Sequence, residues 1–324
     1  EWDTISIWDN MKKIHSWKYP YSLGLLYSAI TQSIGLKPNE EEYITMGMAA
    51  YGEPIHNLEP YLEQNNHYGI GKLEGRKEDL AASVQALFEK KLLELVDMCP
   101  KKNIILMGGC ALNCLANSKI KGKNIWIMPN PGDAGSSLGA AALMYGKKLN
   151  WRGPYLGYNI NKEVNPKDVV KELLKNKMCG IAHGKAEFGP RSLGNRSLIA
   201  DPRINSIKDK VNEVKYRDKF RPFAPAILEE YAHEYFEGPM NEYMQFVATS
   251  KHDYSSVTHV DGTARVQVVK EDCQSILRPI LEEWYDKTGC PMLLNTSLNI
   301  KGQPIVNDEN DAIKFMERSS IRVF

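Results

Sequence analysis

The chain has 324 residues, 43% hydrophobic and 25% charged, with 41 Lys+Arg against 40 Asp+Glu and a formal net charge of +1. These proportions fit a globular chain long enough for two domains, and they exclude disordered, collagen-like and nucleic-acid-coating classes. No run approaches the ~18–20 apolar residues of a membrane helix, and Glu1-Trp2-Asp3 lacks the features of a signal peptide, so a cytoplasmic location with no membrane partner is expected.

In chain order, Tyr21 to Ile34 reads as a helix closed by Gly35, and a polar segment follows from Pro38 to Gly52. From Leu80 to Val96 the apolar residues Leu80, Val84, Leu87, Phe88, Leu92, Leu95 and Val96 fall at helical spacing, which predicts an amphipathic helix ending before Pro100. Asn103 to Met107 is a short strand running into Gly108-Gly109 and a helix-like segment from Cys110 to Lys119. The same order recurs with a strand at Asn124 to Met128, the loop Pro129 to Ser137 and a small-residue helix from Leu138 to Tyr145. Strand, glycine turn and helix twice over predict α/β architecture. The aperiodic, glycine- and proline-marked stretch from Trp151 to Asn165 is read as the domain boundary.

Beyond it, strands are expected at Cys179 to His183, Met244 to Thr249, Thr263 to Val269, Met292 to Leu294 and Ile321 to Phe324. Helices are expected at Ile207 to Lys215, Pro225 to Phe236, Ile276 to Lys287 and Asp308 to Met316. That mixture predicts an α+β domain with a mixed sheet. The six cysteines include no CxxC pair and read as reduced core thiols, and Cys110 and Cys114 have no nearby histidine to complete a metal site.

Charge is unevenly spread. His183 to Arg221 holds ten basic and five acidic residues, whereas Pro222 to Phe324 holds nine basic and sixteen acidic. The arginines of the first stretch alternate with Gly189-Pro190, Gly194 and Pro202, which is loop chemistry suited to presenting guanidinium forks to phosphate or carboxylate. Few aromatics are interleaved, so a small-anion site fits better than a nucleic-acid platform. Gly108-Gly109 and Gly132-Asp133-Ala134-Gly135-Ser136 each follow a strand, where backbone N–H groups can meet an anion; each alone also suits a tight structural turn. Asn295-Thr296-Ser297 and Asp261 to Arg265 set amide, hydroxyl and guanidinium donors at strand ends, and His183 is either a core histidine or an active-site donor.

Taken together, YPYSLGLLY (19–27), MGMAAYG (46–52), GGCALN (108–113), PGDAGSSLGAA (131–141), HGKAEFGPRSLGNRSLIADPR (183–203), RPFAP (221–225), DGTARVQ (261–267) and LLNTSLN (293–299) strongly resemble the NodU/CmcH-type O-carbamoyltransferases of nodulation-factor and antibiotic carbamoylation. The resemblance implies an α/β fold in which residues 1–155 form part of an actin-like (ASKHA) ATPase domain. Residues 156–324 would then form an α+β YrdC-like domain. It implies ATP and carbamoyl phosphate as co-substrates, with Mg2+ and Fe2+ as metals, a carbamoyl-adenylate intermediate, and a small-molecule or sugar hydroxyl as acceptor. By motif position, Lys215, Arg221, Arg265, Asn295 and Ser297 are expected to hold carbamoyl phosphate, with His183, Lys185 and Arg191 lining the site. Gly108, Gly109, Asn113 and Gly135 are expected on the nucleotide, and Asp133 matches a metal carboxylate.

The family's HxxxH segment is absent here, since His15 is the only histidine before residue 56. The chain is therefore expected to be a C-terminal portion, completed by missing sequence or by a separate N-terminal half. The alternatives are a carbamoyl-phosphate-binding module without full activity and a tRNA or protein carbamoylation factor.

Overall fold

The computed structural model describes residues 3–324, and the chain divides into two compact units, Glu1–Ile127 and Met128–Phe324. In the first unit, β1 (Asp3–Asp9) and β2 (Lys12–Lys18) form an antiparallel hairpin. Helix α1 (Leu23–Ser33) begins where the Ser22 side chain accepts a hydrogen bond from the Leu25 N–H at 3.2 Å. It packs with α2 (Glu42–Met48) and the long α3 (Lys77–Asp97) around Leu26, Tyr27, Ile30, Leu80, Val84 and Phe88.

Two short strands, β3 (Asn103–Leu106) and β4 (Asn124–Ile127), then pair in parallel, separated by α4 (Cys114–Ser118). Parallel strands are normally covered on both faces. Here Ile105 and its partner Trp126 are 66% and 46% exposed.

The second unit opens with α5 (Ser136–Tyr145), a helix with no buried residue that leaves Leu143 and Met144 exposed. The chain continues through β5 (Tyr155–Ile160), α6 (Pro166–Asn176), β6 (Met178–Ala182), β7 (Gly184–Glu187), β8 (Arg196–Ala200), α7 (Ile207–Val214), β9 (Ala224–Leu228) and α8 (Glu229–Tyr235). It ends with β10 (Phe236–Glu237), β11 (Ala248–Ser250), β12 (Thr263–Ala264), β13 (Gln267–Val269), α9 (Leu277–Thr288), β14 (Met292–Ser297) and α10 (Glu309–Ser319).

The central sheet runs β13-β9-β14-β8-β6, with β13 and β9 parallel and the remaining pairs antiparallel. The C-terminus extends it, because Gly180 and Ala182 donate to Arg322 and Phe324 carbonyls at 2.8 Å. Strand alternation divides the core. Leu293, Ile199 and Leu228 pack with Leu173 of α6 and Leu281 and Trp284 of α9, while Leu294, Leu198 and Ile227 pack with Ile207, Val211 and Phe236 on the other face.

Several elements differ from the sequence expectation. The segment expected as one helix from Pro225 to Phe236 begins as β9, an interior strand whose small residues are all buried, and turns helical only at Glu229. Pro225 is tolerated there because pairing with β13 starts one residue later, at Ala226. Thr263 to Val269 splits into β12 and β13 of different sheets, breaking at Arg265-Val266. The supposed linker contains β5, and the loop-like 183–203 motif contains β7 and β8. Among the described residues, no helix is long and apolar enough to cross a membrane.

Arg196, only 1% exposed, pins these strands together. Its guanidinium donates to the carbonyls of Tyr158 (2.8 Å), His183 (3.0 Å), Gly184 (3.2 Å), Asn195 (2.8 Å) and, from two nitrogens, Asn307 (3.1 and 3.0 Å). Leaving buried acceptors unpaired costs ~1–3 kcal/mol each, so Arg196→Met should destabilise the chain by about 3 kcal/mol or more. Urea denaturation checks this, and a loss under about 1 kcal/mol would show that the carbonyls find other donors.

Candidate functional site

The C-terminal end of β14 gathers most of the residues singled out in the second unit. Asn295, 1% exposed, and Ser297 project from the face that carries Leu293. The Asn295 amide donates to Gln267 Oε1 at 2.7 Å and to the Ser192 carbonyl at 3.2 Å. The Gln267 amide in turn donates to the Leu193 carbonyl at 2.9 Å. This polar ladder ties the 188–195 loop to the sheet. The loop is held from its other side by Glu187, whose Oε1 accepts the N–H groups of Leu193 (2.6 Å), Asn195 (2.9 Å) and Arg196 (3.4 Å). Burial raises the Glu187 carboxyl above the ordinary carboxylate value, and those hydrogen bonds partly oppose the shift.

Lys215 is brought to the same strand end. Its ammonium donates to the Ser297 carbonyl, to Ser297 Oγ at 3.3 Å, and to the carbonyl and Oδ1 of Asn299, both at 2.9 Å. An ammonium carries three protons, so these four acceptors already engage it fully. It thereby holds Ser297 and Asn299, whose side chains bond each other at 2.7 Å. Burial, reinforced by the positive charges of Arg217 and Arg221, pushes the Lys215 pKa well below its ordinary value. Cationic charge is thus concentrated at this strand end.

The rest of the basic stretch is used unevenly. Arg203 forks onto Asp201 with two 2.8 Å bonds, and Arg217 stacks on Phe223 at 4.0 Å while donating to Asn212 Oδ1 at 2.6 Å. Lys185 is exposed, and Arg191 and Arg221 are half-buried. Arg265 sits at the break between β12 and β13, with its Nε buried and meeting no acceptor. His183 lies at the β6–β7 junction, where burial, and secondarily Arg196, lower its pKa and favour the neutral imidazole. Sequence reasoning missed Glu187, Gln267 and Asn299 as individual residues, although each lies inside a quoted motif.

In the first unit, Gly108 has φ +94 and Gly109 follows it, and a Cβ on either would meet nothing within 4 Å, so the turn after β3 is open. Asn113 is committed: its side chain caps α4 through the Ala116 N–H at 3.0 Å and exchanges hydrogen bonds with Gln85 at 2.9 and 3.0 Å. Gln85 also accepts from the buried Tyr27 hydroxyl at 2.8 Å. In the second unit, Gly135 is glycine for close packing, since a Cβ there would lie 1.9 Å from the Asn130 carbonyl oxygen. Asp133 is exposed, and no three His, Cys, Asp or Glu side chains among the described residues converge as a metal site. Asp133 therefore offers a single carboxylate to Mg2+ or Fe2+, and the described residues do not by themselves form a cage for either ion.

Comparison with known proteins adds the family. The carbamoyltransferase N-terminus family model matches residues 1–73 and 61–142, and the carbamoyltransferase C-terminus model matches 170–324. The chain is 32% identical to an uncharacterised protein of Synechocystis sp., covering 99% of this chain and 69% of that protein. It is also 32% identical to nodulation protein NolNO of Sinorhizobium fredii, covering 90% of this chain and 53% of the relative. The chain thus spans about half the length of that nodulation protein. The crystal structure of full-length HypF in its phosphate- and nucleotide-bound form superposes with a TM-score of 0.36 at 15% identity, over 51% of this chain and 21% of that one. With the family's N- and C-terminal models matched in order along most of its length, the chain belongs to the NodU-type carbamoyltransferase family.

Proposed function

We propose that the chain serves ATP-dependent O-carbamoyl transfer. In this reading water cleaves carbamoyl phosphate to carbamate and phosphate, the carbamate oxygen displaces pyrophosphate from ATP to give a carbamoyl-adenylate, and the carbamoyl group then passes to a hydroxyl of a small molecule or sugar with release of AMP. The observation that carries the reading is the strand end at β14, where Lys215, Arg217 and Arg221 concentrate positive charge beside Asn295 and Ser297. Joining two anions requires that they be aligned and their repulsion screened, which calls for fixed cations and dipoles more than for a nucleophile.

The residues divide the work. Lys215 holds Ser297 and Asn299 in place and lends its charge from behind them. Arg221 and Arg265 contact phosphate, Asn295 and Ser297 orient the carbamoyl end, and His183, Lys185 and Arg191 line the approach. In the first unit, the open Gly108-Gly109 turn offers backbone N–H groups to a nucleotide phosphate. These roles fit a YrdC-like second domain over 156–324 and an actin-like first portion over 1–155. We further propose that a separate polypeptide half completes the transfer site. The uncovered β3–β4 face, where Ile105 and Trp126 are exposed, supports this.

Calorimetry with carbamoyl phosphate tests the binding roles. Charge-assisted hydrogen bonds contribute ~1.5–3 kcal/mol, so Arg221→Ala and Arg265→Ala should each weaken binding about tenfold or more and abolish carbamoyl-phosphate-dependent pyrophosphate release. Unchanged affinity in both variants would remove this reading. Adding the part of NolNO that this chain does not cover should produce carbamoyl transfer to a hydroxyl acceptor that the chain alone does not carry out. Equal turnover with and without it would overturn the two-part arrangement.

A further inference from the structure

The hydrogen-bond ladder at β14 has a fixed sense. The carbonyl oxygens of Ser192 and Leu193 can only accept, so whatever meets them must donate. Gln267 turns its amide nitrogen to the Leu193 carbonyl at 2.9 Å, which leaves its oxygen for Asn295. Asn295 must then present its nitrogen, and the Ser192 carbonyl at 3.2 Å makes the same demand. Neither amide can flip without setting like atoms against each other.

Strand β9 makes this contact reachable. It lies between β13 and β14, and beside Gln267 and Asn295 it carries Ala224 and Ala226, whose methyl groups let the two longer side chains meet across it. Asn295 Oδ1 is the consequence. It is buried and meets no donor, and Ser192 Oγ is likewise buried without a partner. A buried acceptor held in one orientation is costly alone and is satisfied by an N–H donor.

We propose that Gln267 is a positioning residue that locks the Asn295 amide with its oxygen toward the ligand. The site thereby selects an acyl phosphate that carries an amide NH2 over one that carries a methyl group. Acetyl phosphate has nearly the shape of carbamoyl phosphate, but its methyl cannot donate, so it leaves Asn295 Oδ1 unpaired. A site built to hydrogen-bond a group rejects the analogue that lacks it more strongly than shape alone allows. The inference rests on the carbamoyl phosphate reading above.

Calorimetry with carbamoyl phosphate, acetyl phosphate and inorganic phosphate separates the two claims. The unaltered chain should prefer carbamoyl phosphate to acetyl phosphate by about tenfold or more. Gln267→Met removes both the lock and its anchor, so the preference should fall to within about threefold while inorganic phosphate binding changes by less than about twofold. A Gln267→Met chain with unaltered preference overturns the proposal, and so does one that loses all three ligands in parallel, which is what a purely structural role predicts. Should Gln267→Met fail to fold, an unaltered chain with less than about threefold preference overturns the proposal equally. No binding of carbamoyl phosphate by the unaltered chain would instead remove the underlying reading.

Discussion

The second unit depends on one buried cation with no ion-pair geometry around it. Arg196 lies in the sheet interior, and its guanidinium is bonded to main-chain carbonyls alone. Such a charge is expensive to desolvate, and burial lowers its pKa, while Glu187 and Asp308 at longer range favour the charged form. The cost is offset because the planar fork reaches carbonyls that no regular ladder could satisfy. Those carbonyls come from β5, the β6–β7 junction, the entry to β8 and the residue before Asp308, which caps α10. One side chain therefore fixes four separate segments, and the candidate site is assembled from the loops between them.

The sheet face on the α6 and α9 side changes character along its length. Leu293, Leu281 and Trp284 make it apolar at one end, and Asn295, Gln267 and Ser197 make it polar at the other. Ser197 accepts the Gly194 N–H at 2.9 Å, so the 188–195 loop is bonded down by β8, β13 and β14 as well as by Glu187. A leucine at these positions would stabilise through burial but would leave the loop's carbonyls and N–H groups unpaired. A polar end to the sheet gives up some hydrophobic stabilisation and gains a loop held in one conformation at the end of β14.

How much of this was legible follows from what each signal measures. Helical periodicity found α3, α7, α9 and α10, because an amphipathic stripe is a property of the segment alone. Strand β9 was read as helix because Ala224 to Leu228 has neither alternation nor β-branched enrichment; its strand state comes from neighbours on both sides. The motifs pointed to the end of β14 without telling which of their side chains the protein itself engages. Asn113 sits in GGCALN and Lys215 in the basic stretch ahead of RPFAP, and both are engaged by the protein itself. Gln267 was invisible as a residue of interest because its role depends on the register that sets it two strands from Asn295. Nor could net charge reveal the site, since Arg196, Arg203 and Arg217 have their donors engaged internally.

In the proposed reading, the charges near the end of β14 also set how the site would respond to carbamoyl phosphate. Lys215 stands close enough to Arg217 and Arg221 for each to disfavour its protonation, in surroundings that already penalise charge. The hydroxyl, amide and carbonyl oxygens around its ammonium are neutral dipoles, so they solvate the charge without cancelling it. A phosphate dianion brought to Arg221 would supply the missing negative charge, raise the Lys215 pKa toward its ordinary value and relieve the repulsion among the three cations. Binding would then stabilise the fold by linkage, beyond the contacts made by the ligand itself. Under the proposed reading, such a cation cluster adds little to stability by itself and makes the site depend on its anion.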